Sequence, residues 1–187
     1  ELEANKGWSI LTFLRMGNIY NELDSSEKAR DFLRQAMVYY DTSAKWENKT
    51  FIYIGYSDSY RLEGEYDSAM HYALIAKDLG VKSEIGFERM DGNLALANVH
   101  NSMLNNDSAV YYAKLVLSFA DSNGYYSKVK EAAQILYDTY ERNEENDNAY
   151  YYLKKLTEAR DTLENEERVK DVTRLSMQFQ FDKERQA

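Results

Sequence analysis

The chain has no cysteine, no proline and only two histidines among its 187 residues. Without cysteine there are no disulfides, thiolate zinc sites or thiol nucleophiles, and the compartment is left open. Without proline, and with only 8 glycines, the chain lacks the punctuation of strand-and-turn folds, which points to helices. Two histidines leave almost no room for histidine metal clusters or Ser-His-Asp triads. Positive charge is scarce too: 23 Lys and Arg stand against 32 Asp and Glu, a net charge of −9. Phosphate backbones and anionic membranes repel such a chain, so neither nucleic acid nor direct membrane binding is expected. No run approaches the roughly 18 apolar residues of a membrane helix, and no leader peptide is visible. The chain opens at Glu1 without methionine and closes in a charged helical pattern at Ala187. It is therefore read as a piece of a longer protein.

What is present is a repeat. "EYDSAMHY", "NNDSAVYY" and "ENDNAYYY" follow one another at a step of 40 residues, at Glu65, Asn105 and Glu145. In that register Ala29, Ala69, Ala109 and Ala149 align. Phe32, Tyr72, Tyr112 and Tyr152 follow at offset 3, then Leu33, Ala73, Ala113 and Leu153 at offset 4. Ala36, Ala76, Val116 and Leu156 follow at offset 7. These offsets trace one apolar face of a helix. The preceding segment has the same spacing: Phe13, Met16, Gly17 and Tyr20 match Tyr53, Tyr56, Ser57 and Tyr60. They match in turn Asn93, Leu96, Ala97 and His100, then Ala133, Leu136, Tyr137 and Tyr140. Each unit is thus two amphipathic helices around a short polar turn, and with 44% hydrophobic residues the chain can bury a core. Asp67, Asp107 and Asp147 fall where the second helix starts, where a carboxylate caps free N–H groups and favours the positive dipole end.

A small residue in the first helix, an aromatic three later and an alanine opening the second helix resemble the tetratricopeptide repeat, or TPR. "YRLEGEYDSAMHYALIA" is the best single match, and four units are delimited at about 5–44, 45–84, 85–124 and 125–163. The period of 40 exceeds the usual ~34, the terminal proline is missing, and bulky Tyr137 stands where a small residue is expected. HEAT-like pairs, with about this period, are the second architecture. The fold expected is all-α: a right-handed TPR-like superhelix of four helix-turn-helix units with a C-terminal extended, capping helix.

Catalytic constellations are missing. The sequence shows no G-x-G-x-x-G, no G-x-x-x-x-G-K-[ST] and no H-E-x-x-H, and no enzyme, cofactor or metal is expected. His100 takes the register place of Tyr20, Tyr60 and Tyr140, a core place, and His71 falls on the surface. Most of the 17 tyrosines stand at or beside core positions, where a ring is buried and a hydroxyl kept wet. Beside the core stripe of each first helix stand Asn18, Asp58, Asn98 and Asp138. Three residues on stand Asn21, Arg61, Asn101 and Glu141. Spacing by three puts each pair on one face. The TPR resemblance implies that this face lines a concave peptide groove, where amides can bond an extended backbone. The family's carboxylate clamp of several Lys and Arg is not matched; Arg61 and Arg15 are the candidates here.

Residues 164–187 leave the register: forty after Leu136 and Tyr140 stand Ser176 and Gln180. Val169, Val172, Leu175 and Phe179 keep helical spacing, while Met177 and Phe181 lie on a second face. The first part is expected to cap the last repeat, and the rest to meet a partner helix, as in a homodimer. "RLSMQFQFDKERQA" after such units resembles the junction in bacterial sensor proteins that join a TPR ectodomain through a stalk and membrane span to a histidine kinase, cyclase or DNA-binding regulator. This implies a non-catalytic protein- or peptide-binding sensory domain in two-component-type signal transduction, periplasmic or otherwise extracytoplasmic more than cytoplasmic. The alternative is a scaffold or dimerisation domain with no ligand of its own.

Overall fold

A computed structural model describes residues 2–41, 49–83 and 86–186. Among these residues there are eight helices and no strand. They are α1 (Leu2–Glu22), α2 (Ser26–Asp41), α3 (Lys49–Leu62), α4 (Tyr66–Lys82), α5 (Gly86–Ser102), α6 (Asn106–Asn123), α7 (Tyr126–Arg142) and α8 (Asn146–Gln186). Each odd helix and the even helix after it form a hairpin.

The four hairpin turns share one bond pattern. The N–H groups of Ser25, Glu65, Asn105 and Glu145 donate to the carbonyls of Tyr20, Tyr60, His100 and Tyr140. The preceding N–H groups, of Asp24, Gly64, Leu104 and Glu144, donate to Asn21, Arg61, Asn101 and Glu141. This is the Schellman helix stop, which needs a left-handed residue. The φ values of Asp24, Gly64, Leu104 and Glu144 are 51°, 78°, 57° and 60°. Only one of the four is glycine, and a side chain there costs roughly 1 kcal/mol or more. Leu104 is 65% exposed, so replacing it forfeits little burial. Leu104→Gly is expected to raise stability by about 1 kcal/mol in a urea melt, after the entropy glycine adds to the unfolded chain.

The aspartates expected to cap the second helices sit one step further in. Glu65 and Asn105 are the N-caps of α4 and α6, without a side-chain cap bond. Asp67, Asp107 and Asp147 lie in the first turns of α4, α6 and α8, where charge meets the dipole rather than a cap N–H.

The core follows the register. Ala29, Ala69, Ala109 and Ala149 are all buried, as are Ala36, Ala76, Val116 and Leu156. In every hairpin a ring on the odd helix stacks on one from the even helix: Tyr20–Phe32, Tyr60–Tyr72, His100–Tyr112 and Tyr140–Tyr152. Their centroids are 5.3, 5.5, 5.7 and 5.5 Å apart and their planes within 7°. Small residues permit these approaches. Ser57 is buried and donates to the Ala69 carbonyl at 2.9 Å. A Cβ on Gly17 would lie 2.9 Å from Leu33, and one on Gly55 2.7 Å from it, so Leu33 fills the wedge between α1 and α3. Between the second and third hairpins the backbones themselves meet, because a Cβ on Gly80 would stand 2.5 Å from the Glu88 carbonyl oxygen and one on Gly92 2.7 Å from Lys77 Cα.

His100 is partly buried and stacks on Tyr112 without the hydroxyl of its three counterparts, and its Nδ1 is buried with no partner among the described residues. Burial lowers its pKa below the ordinary 6.5. The folded chain then resists a proton that the unfolded chain accepts, so stability falls as pH drops below about 6.5. His100→Tyr is expected to remove that component from melting curves recorded between pH 7 and 5.

Odd helices also pack across hairpins, α1 on α3, α3 on α5 and α5 on α7; no such direct pairing joins even helices among the described residues. The odd helices therefore form one layer continuous across the hairpins.

The tail departs from expectation. α8 runs unbroken from the fourth hairpin to Gln186, and every described side chain from Glu164 to Arg185 is exposed. It caps nothing. The stripe that packs α8 on α7 (Ala149, Tyr152, Leu156, Ala159) gives way after Leu163 to one through Val169 and Val172. α7 is 17 residues long, so the antiparallel α8 runs past its end after about Leu163, and no other described helix packs beside the remainder.

Candidate functional site

The odd-helix layer borders two neighbouring hollows of about 590 and 630 Å³ whose linings share Asn98 and Glu131. Seven of the eight residues picked out beside the core stripe line them. Asn18, Asn21, Asp58 and Arg61 line the first, Asn98 lines both, and Asn101 and Asp138 line the second. Glu141 does not; it accepts a hydrogen bond from the Tyr137 hydroxyl on the exposed edge of α7.

Shared position does not mean shared role. Asn21 is 7% exposed and its amide is used within the fold. Its Nδ2 donates to the Gly55 carbonyl at 2.9 Å, and its Oδ1 accepts from Ser59 Oγ at 2.8 Å. Two hairpins on, Asn101 Oδ1 accepts from Arg142 at 2.7 Å and from Thr139 at 3.5 Å. These amides clasp the first hairpin to the second and the third to the fourth. Arg61 is paired along its own helix with Asp58 at 3.2 Å. Asp138 accepts from Gln134 at 2.7 Å.

Sequence reasoning missed the centre of the first hollow. Asp91 on α5 has a side chain 5% exposed, and Lys128 on α7 reaches its Oδ1 at 3.1 Å. The same ammonium lies 3.3 Å from Glu131 Oε1. Asp91 Oδ2 is buried without a hydrogen-bond partner among the described residues. Burial raises the Asp91 pKa against the pull of Lys128. For Lys128, burial works against the charge, but Glu131 and Asp91 outweigh it and hold the proton beyond the ordinary lysine range. Asp58 is raised by lost hydration, with Arg61 opposing. Phe51 and Ile54 from α3 and Phe87 and Leu94 from α5 form apolar walls beside these charges.

Among the described residues no three His, Asp or Glu groups are placed to hold a metal ion, and no helix is long and apolar enough to cross a membrane. On α8, Val169, Val172, Leu175 and Phe179 are 66, 67, 61 and 71% exposed. No protein-family model and no curated protein matches the chain significantly.

Proposed function

We propose that the chain is a non-catalytic module that binds an extended protein or peptide segment along its odd-helix layer. In this reading the four hairpins are TPR-like units of a right-handed superhelix, and the module is the sensory domain of a bacterial signalling protein. One observation carries it: residues from all four odd helices, Asn18, Asp58, Asn98 and Asp138, recur at one register position and line two neighbouring hollows. A groove along such a row suits a strand-like ligand, whose backbone offers donors and acceptors at regular intervals. The test is a fluorescence-anisotropy screen of a peptide library against the whole chain, followed by Asn98→Ala. Losing one amide contact is expected to weaken binding about three- to tenfold. Absence of any binding peptide, or hits indifferent to Asn98→Ala, would contradict the proposal.

A second reading follows from the exposed stripe of α8. Four large apolar side chains at helical spacing, all more than 60% exposed, suit a matching helix of a second copy. As a scaffold without a ligand, the chain would sediment as a dimer at micromolar concentration and become monomeric when residues 164–187 are removed. A monomer in both cases excludes this reading.

A further inference from the structure

We infer that Asp91, flanked by Asp58 and Glu131, is a receptor for an arginine side chain of the bound segment, and that Lys128 is its built-in placeholder. This rests on the groove reading above and names the chemistry of its ligand. The first hollow is lined by five carboxylates, of Glu22, Asp24, Asp58, Asp91 and Glu131, against the two cations Arg61 and Lys128. Charge alone would make this only a solvated acidic face. What distinguishes it is Asp91: its side chain is 5% exposed, it lines the hollow, and one of its two oxygens is unpartnered. A buried acceptor left open is costly and calls for a donor.

Lys128 satisfies Asp91 halfway. Its ammonium is a single point of contact, touching Oδ1 and leaving Oδ2. A guanidinium presents two parallel N–H donors at the spacing of a carboxylate and engages both oxygens at once. Its arrival requires Lys128 to withdraw, and a second seat is ready. Glu131 already lies 3.3 Å from Nζ and is 38% exposed, so Lys128 can stay paired there at the groove's edge. Arg61 keeps its own partner, Asp58. The walls commit the ligand to a peptide. Phe51, Ile54, Phe87 and Leu94 border the acids, so an arginine carried between apolar side chains covers both kinds of surface, whereas a free polyamine leaves the walls wet.

The test uses the full chain and labelled peptides about eight residues long, roughly 26 Å extended, each with one central arginine among aliphatic residues. Lysine, citrulline or glutamate replaces that arginine in matched peptides, and spermidine is titrated separately. The arginine peptide is expected to bind best, and citrulline or glutamate to weaken binding about tenfold or more. Asp91→Asn should erase the preference for arginine, Glu131→Gln should reduce it, and Lys128→Gln should tighten the arginine peptide. Asp147→Asn, on the first turn of α8, should change nothing. Circular dichroism checks each fold; if Asp91→Asn unfolds, Glu131→Gln and Lys128→Gln still decide the matter. A Lys128 that only supports the fold would not tighten binding on removal, and that result overturns the receptor. Equal binding of citrulline and arginine peptides also overturns it while leaving the groove reading intact. Spermidine binding as tightly as the peptide overturns the peptide assignment, and no binding by any peptide removes the groove reading itself.

Discussion

Gly92→Ala is expected to lower stability by about 1–3 kcal/mol, although alanine is intrinsically about 1 kcal/mol better than glycine inside a helix. The added methyl has nowhere to go. Its Cβ would lie 2.7 Å from Lys77 Cα and 3.1 Å from the Ala76 carbonyl oxygen, both backbone atoms of α4. Relief requires α4 and α5 to separate, and this contact joins the second hairpin to the third. Gly80→Ala presses the same junction from the other side, 2.5 Å from the Glu88 carbonyl oxygen. Gly17→Ala is the comparison: its nearest neighbours are Cδ2 and Cγ of the Leu33 side chain at 2.9 Å, with the Ala29 carbonyl oxygen at 3.3 Å, and a side chain gives way more readily than two backbones. Thermal melts should rank Gly92→Ala well below Gly17→Ala, at about 2–4 °C per kcal/mol for a chain of this size. Equal melting temperatures for the two would mean that α4 and α5 are not in backbone contact.

Lys128→Met is the second large effect. It leaves the Asp91 carboxylate buried opposite a thioether, and breaking a buried pair from one side costs about 3–5 kcal/mol. The loss should depend on pH in a defined direction. Asp91 already holds its proton more tightly in the folded chain than in the unfolded one, because burial outweighs Lys128. Without the lysine that difference grows. The folded state then binds a proton the unfolded chain releases, so the variant gains stability as pH falls from neutrality, levelling below about 3.9, the ordinary aspartate value. Adding Asp91→Asn should recover most of the loss at neutral pH and remove this acid-side gain. Urea melts at several pH values measure both; a variant equally destabilised at every pH would show that Asp91 carries no buried charge.

The hairpins were legible because they are written four times. Ala29 and its three counterparts, and the ring pairs from Tyr20–Phe32 to Tyr140–Tyr152, occupy matching places, and the stacking of His100 on Tyr112 follows from its register alone. That seven of the eight residues beside the core stripe line the two hollows follows from the same register. What the period does not repeat stayed hidden. Forty residues to either side of Asp91 stand Phe51 and Glu131, so nothing in the register marks a buried carboxylate there. Gly80 and Gly92 have Tyr40, Ala120, Ile52 and Ala132 as counterparts, and their backbone contact belongs to one junction only. Asn21 and Asn101 share the face of Asn98, but a partner on the next hairpin, Ser59 or Thr139, turns them inward. Such a partner is visible only when the hairpins are stacked. The expected cap failed because α8 continues straight beyond the end of α7 instead of folding back, and apolar spacing alone does not mark where a helix turns.

The central claim is that the layer of odd helices receives an extended basic segment. The most direct measurement is the nitrogen-edited proton spectrum of the chain with and without the arginine peptide, followed at the side-chain amides. Shifts at Asn18 and Asn98, with the Arg61 guanidinium moving alongside, are the predicted result. Shifts confined to even-helix neighbours of Tyr111, Tyr150 and Tyr151, with Asn18 and Asn98 unmoved at saturation, would contradict it.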